Sequence, residues 1–116
     1  MSKELCQSIV KILDDKKAID IVAIEISELT IVADYFVIAT ATSSTHLKSL
    51  SDEVEFRMAE KGAVMRSIEG KATGWILMDF GVVVLHLFTN ETRKYYNLER
   101  LWEDGSFLDI SGFVKE

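Results

Sequence analysis

The stretch GWILMDFGVVVLHLF, residues 74–88, consists of two alternating runs joined by Asp79, Phe80 and Gly81. Glycine readily supplies the positive φ that a tight turn between antiparallel strands needs, so the pattern predicts a β-hairpin. Alternation places every second side chain of a strand on the same face. One face is uniformly apolar and is expected to pack on the core. It contains Ile76, Met78, Val83, Leu85 and Leu87.

The other face of this hairpin mixes aromatic, aliphatic and titratable side chains. A turn at residues 80–81 would set the pairing between the two strands. The pairs predicted on this face are Asp79 with Val82, Leu77 with Val84, and Trp75 with His86. Aromatic anchors ringed by polar groups are typical of binding surfaces, so the face suits docking of another macromolecule. An equally open interpretation is that a terminal helix covers the face and makes it part of the core.

Periodicity and turn residues predict the remaining elements. They are a helix at 3–17, strands at 18–26 and 34–41, a helix that begins within 42–46 and ends at Gly62, a strand at 65–69, and a helix from 89 or 90 to about 101. The order is α-β-β-α-β-β-β-α, an α/β fold with a mixed five-stranded sheet and flanking helices. The helix between the second and third strands predicts a parallel step, whereas the hairpin is antiparallel.

Length and composition fit a single compact domain. The chain has 116 residues, of which 48% are apolar, with no proline and six glycines. Such a chain can bury a core without metal or disulfide staples. Residues 1–102 are predicted to form the domain. Residues 103–116 lack a clear period and are predicted to form an acidic C-terminal tail laid over it.

Charge and cysteine content narrow the class of partner and the compartment. The net charge of −6 predicts repulsion from phosphate backbones, which argues against direct nucleic-acid readout and favours a basic protein partner. Cys6 is the single cysteine, and a buried inert thiol is expected in the first helix. A chain without disulfides is typical of a reducing compartment, so we expect a cytoplasmic protein. The longest apolar run, residues 82–88, is far shorter than the roughly 20 residues that cross a bilayer, so no membrane partner is expected.

Three titratable residues keep an enzymatic alternative open. Asp79, His86 and Glu99 are the candidates for acid–base chemistry in a small nucleotide-processing enzyme. In the predicted pairing, Asp79 and His86 lie near opposite ends of the hairpin, which favours a packed histidine instead. Ser43 and Ser44 precede a helix and suit a capping role. The two histidines lie 40 residues apart, and no catalytic residue, metal site or cofactor is predicted.

The segment after the hairpin, residues 89–102, predicts a helix with two stripes of side chains. Arg93, Tyr96 and Glu99 follow one another at intervals of three residues and form the first stripe. The neighbouring stripe contains Tyr95, Leu98 and Trp102. One stripe must pack on the sheet, and the other is exposed or contacts a partner.

Four stretches of this sequence occur together in one known family. They are DYFVIATATSSTH (34–46), IEG (68–70), GWILMDFGVVVLHLF (74–88) and ETRKYYNLERLW (91–102). In this order and spacing they resemble the ribosomal silencing factor family, also called the Iojap-like family, over residues 3–102. Each stretch alone is a weak signal, whereas the ordered set is specific.

The resemblance implies a regulatory protein rather than an enzyme. It implies a nucleotidyltransferase-like fold, and the sequence lacks the Gly-Ser pair followed by Asp-x-Asp that active nucleotidyltransferases use for metal ions. It further implies binding to the large ribosomal subunit through its fourteenth large-subunit protein. A factor bound there would block joining of the small subunit and reduce translation when nutrients are scarce.

The same resemblance implies that the mixed hairpin face and the helix after it form the docking surface. The partner-binding residues so implied are Trp75, Leu77, Asp79, Val84, His86, Arg93, Tyr96 and Glu99. The sequence departs from the family pattern at Ala41, Thr45 and Val82, where glycine, arginine and an acid are usual. A homodimer that uses the same hairpin is a further hypothesis, and it would mask the ribosome-binding face.

Overall fold

One mixed sheet with helices on both faces forms the fold of the computed structural model, which describes residues 2–70 and 73–114. In chain order the elements are α1 (Ser2–Asp15), β1 (Ile19–Glu25), β2 (Tyr35–Ala41), α2 (Ser44–Glu60), β3 (Ser67–Glu69), β4 (Trp75–Asp79), β5 (Val83–Thr89), α3 (Asn90–Tyr96), α4 (Leu98–Leu101) and β6 (Ser106–Phe107). The strand order is β3-β4-β5-β2-β1-β6. The predicted mixed α/β class with flanking helices is confirmed.

The sheet has six strands, so the predicted count of five is wrong. The additional strand is β6, which pairs antiparallel with β1 at one edge. Its two residues are too few to produce an alternating pattern. Just after it, the Leu108 N–H donates to the Ala23 carbonyl at 2.9 Å. Apolar residues of this segment also pack on the core, namely Leu108, Ile110, Phe113 and Val114. Residues 103–114 therefore add a strand and core contacts to the fold.

The hairpin turns at Gly81 and Val82 rather than at Phe80 and Gly81. Gly81 has a φ of 88°, and the Phe80 N–H donates to the Val83 carbonyl at 2.9 Å, which closes the loop. The observed pairs are Asp79 with Val84, Leu77 with His86, and Trp75 with Phe88. The predicted pairing is wrong by two residues because it placed the turn one position too early. A shift of two preserves the alternation, so the apolar face still meets the core as predicted.

Two short helices replace the single helix predicted after the hairpin. Asn97 separates α3 from α4, and its φ of 45° and ψ of 54° are left-handed. Asparagine tolerates this conformation better than most residues with a side chain. The break ends α3 after seven residues. It also allows Leu98 of α4 to be buried against the sheet.

Strand β2 lies inside the sheet, parallel to β5 and antiparallel to β1, and all its residues are buried. The parallel pair is β2 with β5, whereas the predicted parallel step joined the second and third strands, and β3 pairs with β4 instead. Alternate side chains of β2 face two different cores. The larger core packs α1 and α2 on the sheet and includes Leu13, Val37, Leu50, Met78 and Leu85. The smaller core lies on the opposite face under α4 and consists of Ile24, Ile26, Ala33, Phe36, Ile38, Val84, Phe88 and Leu98.

Three local predictions about the first two helices are confirmed. Cys6 is fully buried, and burial raises the pKa of its thiol to about 12, which makes the thiol inert at neutral pH. The Ser43 hydroxyl oxygen accepts from the His46 N–H at 3.0 Å and caps α2. Gly62 follows the end of α2 in the left-handed region, with a φ of 81°.

Candidate functional site

The mixed face of the hairpin lies over the smaller core and is only partly covered. On β5, Val84 and His86 are buried, with 6% and 4% of their surface exposed. On β4, Trp75, Leu77 and Asp79 are only half-buried. α3 and α4 thus cover the β5 side of this face and leave the β4 side accessible. The β4 side therefore fits the interpretation as a binding surface, and the β5 side fits the interpretation that a helix covers the face.

Trp75 sits at the centre of an aromatic cluster at this accessible rim. Its ring stacks on Phe88, the residue paired with it across the two strands, at a centroid distance of 5.3 Å. Tyr96 of α3 is a second neighbour, at 4.5 Å. Tyr95 in turn meets Tyr96 edge to face at 4.9 Å. Because α3 begins directly after β5, the chain brings these tyrosines back over the start of β4. Offset and edge contacts of this kind hold aromatic rings in defined positions.

His86 lies beneath Trp75 and holds its indole by a hydrogen bond. The Trp75 Nε1–H donates to His86 Nδ1 at 3.2 Å. Since indole nitrogen can only donate, Nδ1 must be unprotonated and the ring hydrogen must lie on Nε2. Phe36 contacts the same imidazole edge to face at 4.7 Å. Burial lowers the pKa of His86 to about 4, so the ring is neutral at physiological pH.

Arg93 forms a buried network that ties the two short helices to the sheet. Its Nη2 and Nε donate to the Glu99 carboxylate at 2.8 and 3.3 Å, a bidentate pair between α3 and α4. Its Nη1 donates to the Thr40 hydroxyl of β2 at 2.8 Å and to the Asp20 carbonyl of β1. Asp20 has a φ of 50° and lies where the register of β1 shifts against β2. The hydrogen bonds of the Arg93 guanidinium are therefore internal to the protein. They also hold β1 at the point where its register shifts against β2.

Asp79 has a local structural partner as well. Its Oδ1 accepts from the Gly81 N–H at 2.7 Å and so stabilises the hairpin turn. His86 is bonded to Trp75, and Glu99 is bonded to Arg93. The three candidates for acid–base chemistry are thus engaged with three different partners. The geometry gives no support to the nucleotide-processing alternative.

Three exposed apolar or aromatic side chains of the hairpin turn, α3 and α4 are absent from the predicted partner-binding set. Exposed fractions are 81% for Tyr95, 73% for Leu101 and 42% for Val82, compared with 47% for Tyr96. Phe88 was also left out, although it follows His86 by two residues and must share its face. These positions could have been found by extending the alternation of β5 and by asking which stripe of the helix faces outward.

Two other classes of feature, metal-ligand clusters and membrane-spanning helices, are absent from the part of the chain that the structure describes. Within residues 2–70 and 73–114, no three His, Cys, Asp or Glu side chains are grouped so that they could hold a metal ion. No helix in these two ranges is long and apolar enough to cross a membrane.

Comparison with known proteins gives one consistent result. The family model described as "Ribosomal silencing factor during starvation" matches residues 1–116. A ribosomal silencing factor of Halalkalibacterium halodurans is 34% identical over 114 residues, which is 97% of each chain. The mouse protein named "Mitochondrial assembly of ribosomal large subunit protein 1" is 36% identical over 105 residues, 87% of this chain and 46% of the mouse protein.

A solved structure also has the same fold as this chain. The crystal structure of a Chromobacterium violaceum protein superposes with a TM-score of 0.86 at 31% identity, over 89% of this chain and 87% of that one. The family match covers the whole sequence, including the C-terminal segment that carries β6. On this sequence and structural similarity, the chain belongs to the ribosomal silencing factor family.

Proposed function

We propose that the protein binds the large ribosomal subunit through its fourteenth large-subunit protein and prevents the small subunit from joining. Translation would then fall when nutrients are limiting. The name of the mouse relative refers to assembly of the ribosomal large subunit, which supports a large-subunit partner for this chain too. The protein acts by occupying a surface, so it needs no cofactor and no catalytic group. Its fold in this proposal is a nucleotidyltransferase-like scaffold without that activity, and it works in the cytoplasm.

The observation that carries the proposal is the half-open aromatic cluster of Trp75 and Tyr96 beside Leu77. These side chains are held by internal packing and yet keep part of their surface accessible. Tryptophan and tyrosine in such positions are the residues that most often dominate protein binding energies. The proposed surface also includes the carboxylates of Asp79 and Glu99, both half-buried.

Three of the eight implied partner-binding residues act from beneath this surface in our proposal. Val84, His86 and Arg93 are at most 9% exposed, so they cannot make large contacts without rearrangement. They support the side chains that touch the partner. We therefore assign direct contact to the partly exposed or exposed residues, which are Trp75, Leu77, Asp79, Tyr96 and Glu99.

The net charge of −6 favours a basic protein surface as the partner. Complementary charge speeds encounter and disfavours wrong partners, whereas the same charge repels bare phosphate backbones. The protein should therefore recognise a protein component of the subunit rather than read nucleic-acid sequence. A second copy of the chain could use the same half-open aromatic cluster, and such a homodimer would compete with ribosome binding.

Co-sedimentation with isolated large and small ribosomal subunits tests the proposal. We expect retention on large subunits alone and fewer joined ribosomes when both subunits are mixed with the protein. Trp75→Ala should weaken large-subunit binding by about 2 kcal/mol or more, roughly thirtyfold in Kd.

A matched control for this experiment is Phe56→Ala. Phe56 is an aromatic residue of α2 with 62% of its surface exposed, and α2 packs on the opposite face of the sheet. Its removal should leave binding unchanged. Equal retention of the Trp75 variant and the wild type would reject the assigned surface. Failure of the wild type to sediment with either subunit would reject the function.

A further inference from the structure

His86 leaves one of its two ring nitrogens without a partner. Its Nε2 is completely buried and makes no hydrogen bond to any residue that the structure describes. Because Nδ1 accepts from Trp75, Nε2 carries the ring hydrogen. A buried donor without an acceptor lowers the stability of a fold, and an apolar ring of similar size would avoid that penalty. The side chains around His86 are apolar, since Phe36, Ile38 and Phe88 fill the same core.

The hydrogen bond that His86 does make determines how the Trp75 indole is oriented. The stack on Phe88 and the contact with Tyr96 restrain the plane of the indole but not which edge faces inward. The second side-chain torsion of tryptophan has broad and roughly two-fold preferences, so a flipped ring would still stack. Within residues 2–70 and 73–114, the hydrogen bond that distinguishes the two orientations runs from Nε1 to His86 Nδ1, at 3.2 Å.

We infer that His86 is a positioning residue: it fixes the Trp75 indole in one orientation for docking, and the fold gives up stability to keep it. This inference rests on the proposed function, because it concerns the surface that would meet the large subunit. A histidine retained only for packing predicts that binding follows stability. A positioning histidine predicts that the two quantities separate, since an apolar replacement improves the core and loosens the indole.

The first test needs no ribosome and observes the indole N–H by ¹H–¹⁵N NMR. The two tryptophan indole signals are assigned with Trp102→Phe. In His86→Phe, the Trp75 signal should move upfield and its N–H should exchange faster with water. In His86→Asn, whose amide oxygen can stand near the position of Nδ1, the signal should stay close to that of the wild type. An unchanged Trp75 signal in His86→Phe would overturn the inference, whatever the protein binds.

The second test compares binding to isolated large ribosomal subunits with urea unfolding for the same proteins. His86→Phe should be at least as stable as the wild type and should bind roughly two- to tenfold more weakly, as expected for loss of one pre-ordered side chain. His86→Asn should be less stable and keep its affinity. The matched control is Ile38→Val, at the β2 position paired with His86, which should lower stability and leave affinity unchanged.

A double-mutant cycle provides a test that does not require the His86→Asn variant to fold. In a Trp75→Phe background, the substitution His86→Phe should weaken binding no further, because the side chain that it positions is already absent. Additive losses in the cycle, or wild-type affinity in His86→Phe alone, would overturn the inference and leave the proposed function standing. Absence of any wild-type binding to large subunits would instead reject the proposed function, and this inference with it.

Discussion

The two faces of the sheet differ in where they bury polar groups. The larger core, under α1 and α2, consists mainly of aliphatic side chains, and the buried hydroxyl of Ser51 donates to the Lys48 carbonyl within α2 itself. The face of the smaller core buries Thr40, His86 and Arg93. There hydrogen bonds act together with aromatic packing to set the positions of α3 and of Trp75. The first face serves stability, and the second combines modest packing with fixed side-chain orientation beside an accessible surface.

The largest expected effect tests the first half of this comparison. Leu50 of α2 is completely buried in the larger core. Leu50→Ala should lower the free energy of unfolding by about 4 kcal/mol, through lost burial and the cavity left behind. Urea unfolding measures the loss, and co-sedimentation of the folded protein should give wild-type affinity. A substantial loss of affinity in the folded fraction would mean that the two faces are coupled.

The second effect is the pH dependence that His86 contributes from the smaller core. The pKa of His86 is lowered from 6.5 to about 4 by burial. Above pH 6.5 the ring is neutral in both the folded and unfolded states and has no effect. As the pH falls from 6.5 towards 4, only the unfolded chain takes up the proton, so stability falls by up to about 3 kcal/mol.

Comparison of His86→Phe with the wild type isolates this pH dependence. Unfolding in urea at pH 7 and at pH 4 should show a smaller loss of stability in the variant, because its unfolded state has one group fewer to protonate. Other titrating groups are common to both proteins and cancel in the difference. Parallel stability curves for the two proteins would show that burial of His86 does not control this window.

The third effect concerns the network that holds α3 and α4 on the sheet. Arg93→Leu leaves the Glu99 carboxylate and the Thr40 hydroxyl without their donor. Complete burial of such a pair would make the loss about 3–5 kcal/mol. Because the Glu99 side chain is 30% exposed, water replaces part of the interaction, and we expect about 2 kcal/mol. Hydrogen exchange should locate the loosening in α3, α4 and the start of β1, with the larger core still protected.

The framework of this fold could be predicted because it depends on local pattern. The alternation in β4 and β5, and the capping serine before α2, involve neighbours in sequence. The register error shows the limit of that approach. The sequence correctly predicts that Gly81 lies in the turn, but it does not determine whether Phe80 or Val82 is the other turn residue. The bond from the Gly81 N–H to Asp79 Oδ1 and the closing pair of Phe80 and Val83 place Val82 in the loop.

The features of the site that sequence reasoning missed are contacts between residues distant in the chain. Helical spacing predicts only that Arg93 belongs to an exposed or packed stripe, and nothing local indicates that its guanidinium reaches the Thr40 hydroxyl and the Asp20 carbonyl. The predicted pair of Trp75 with His86 was wrong as a strand pair. The two side chains nevertheless meet diagonally on the same face, since the indole is long enough to span the offset.

The smallest effect compares a cap on each face. Ser43→Ala removes the cap of α2, and Thr92→Val removes the hydroxyl that donates to the Gly74 carbonyl at 2.6 Å and accepts from the Thr89 N–H at 3.0 Å. Each substitution should lower the free energy of unfolding by about 1 kcal/mol. Their effects on affinity for isolated large subunits should differ. Thr92 anchors the start of α3 beside the residue that precedes Trp75, so its loss should weaken binding severalfold, whereas loss of the Ser43 cap should not. Equal affinities for the two variants would show that the position of α3 is set by the Arg93 network alone.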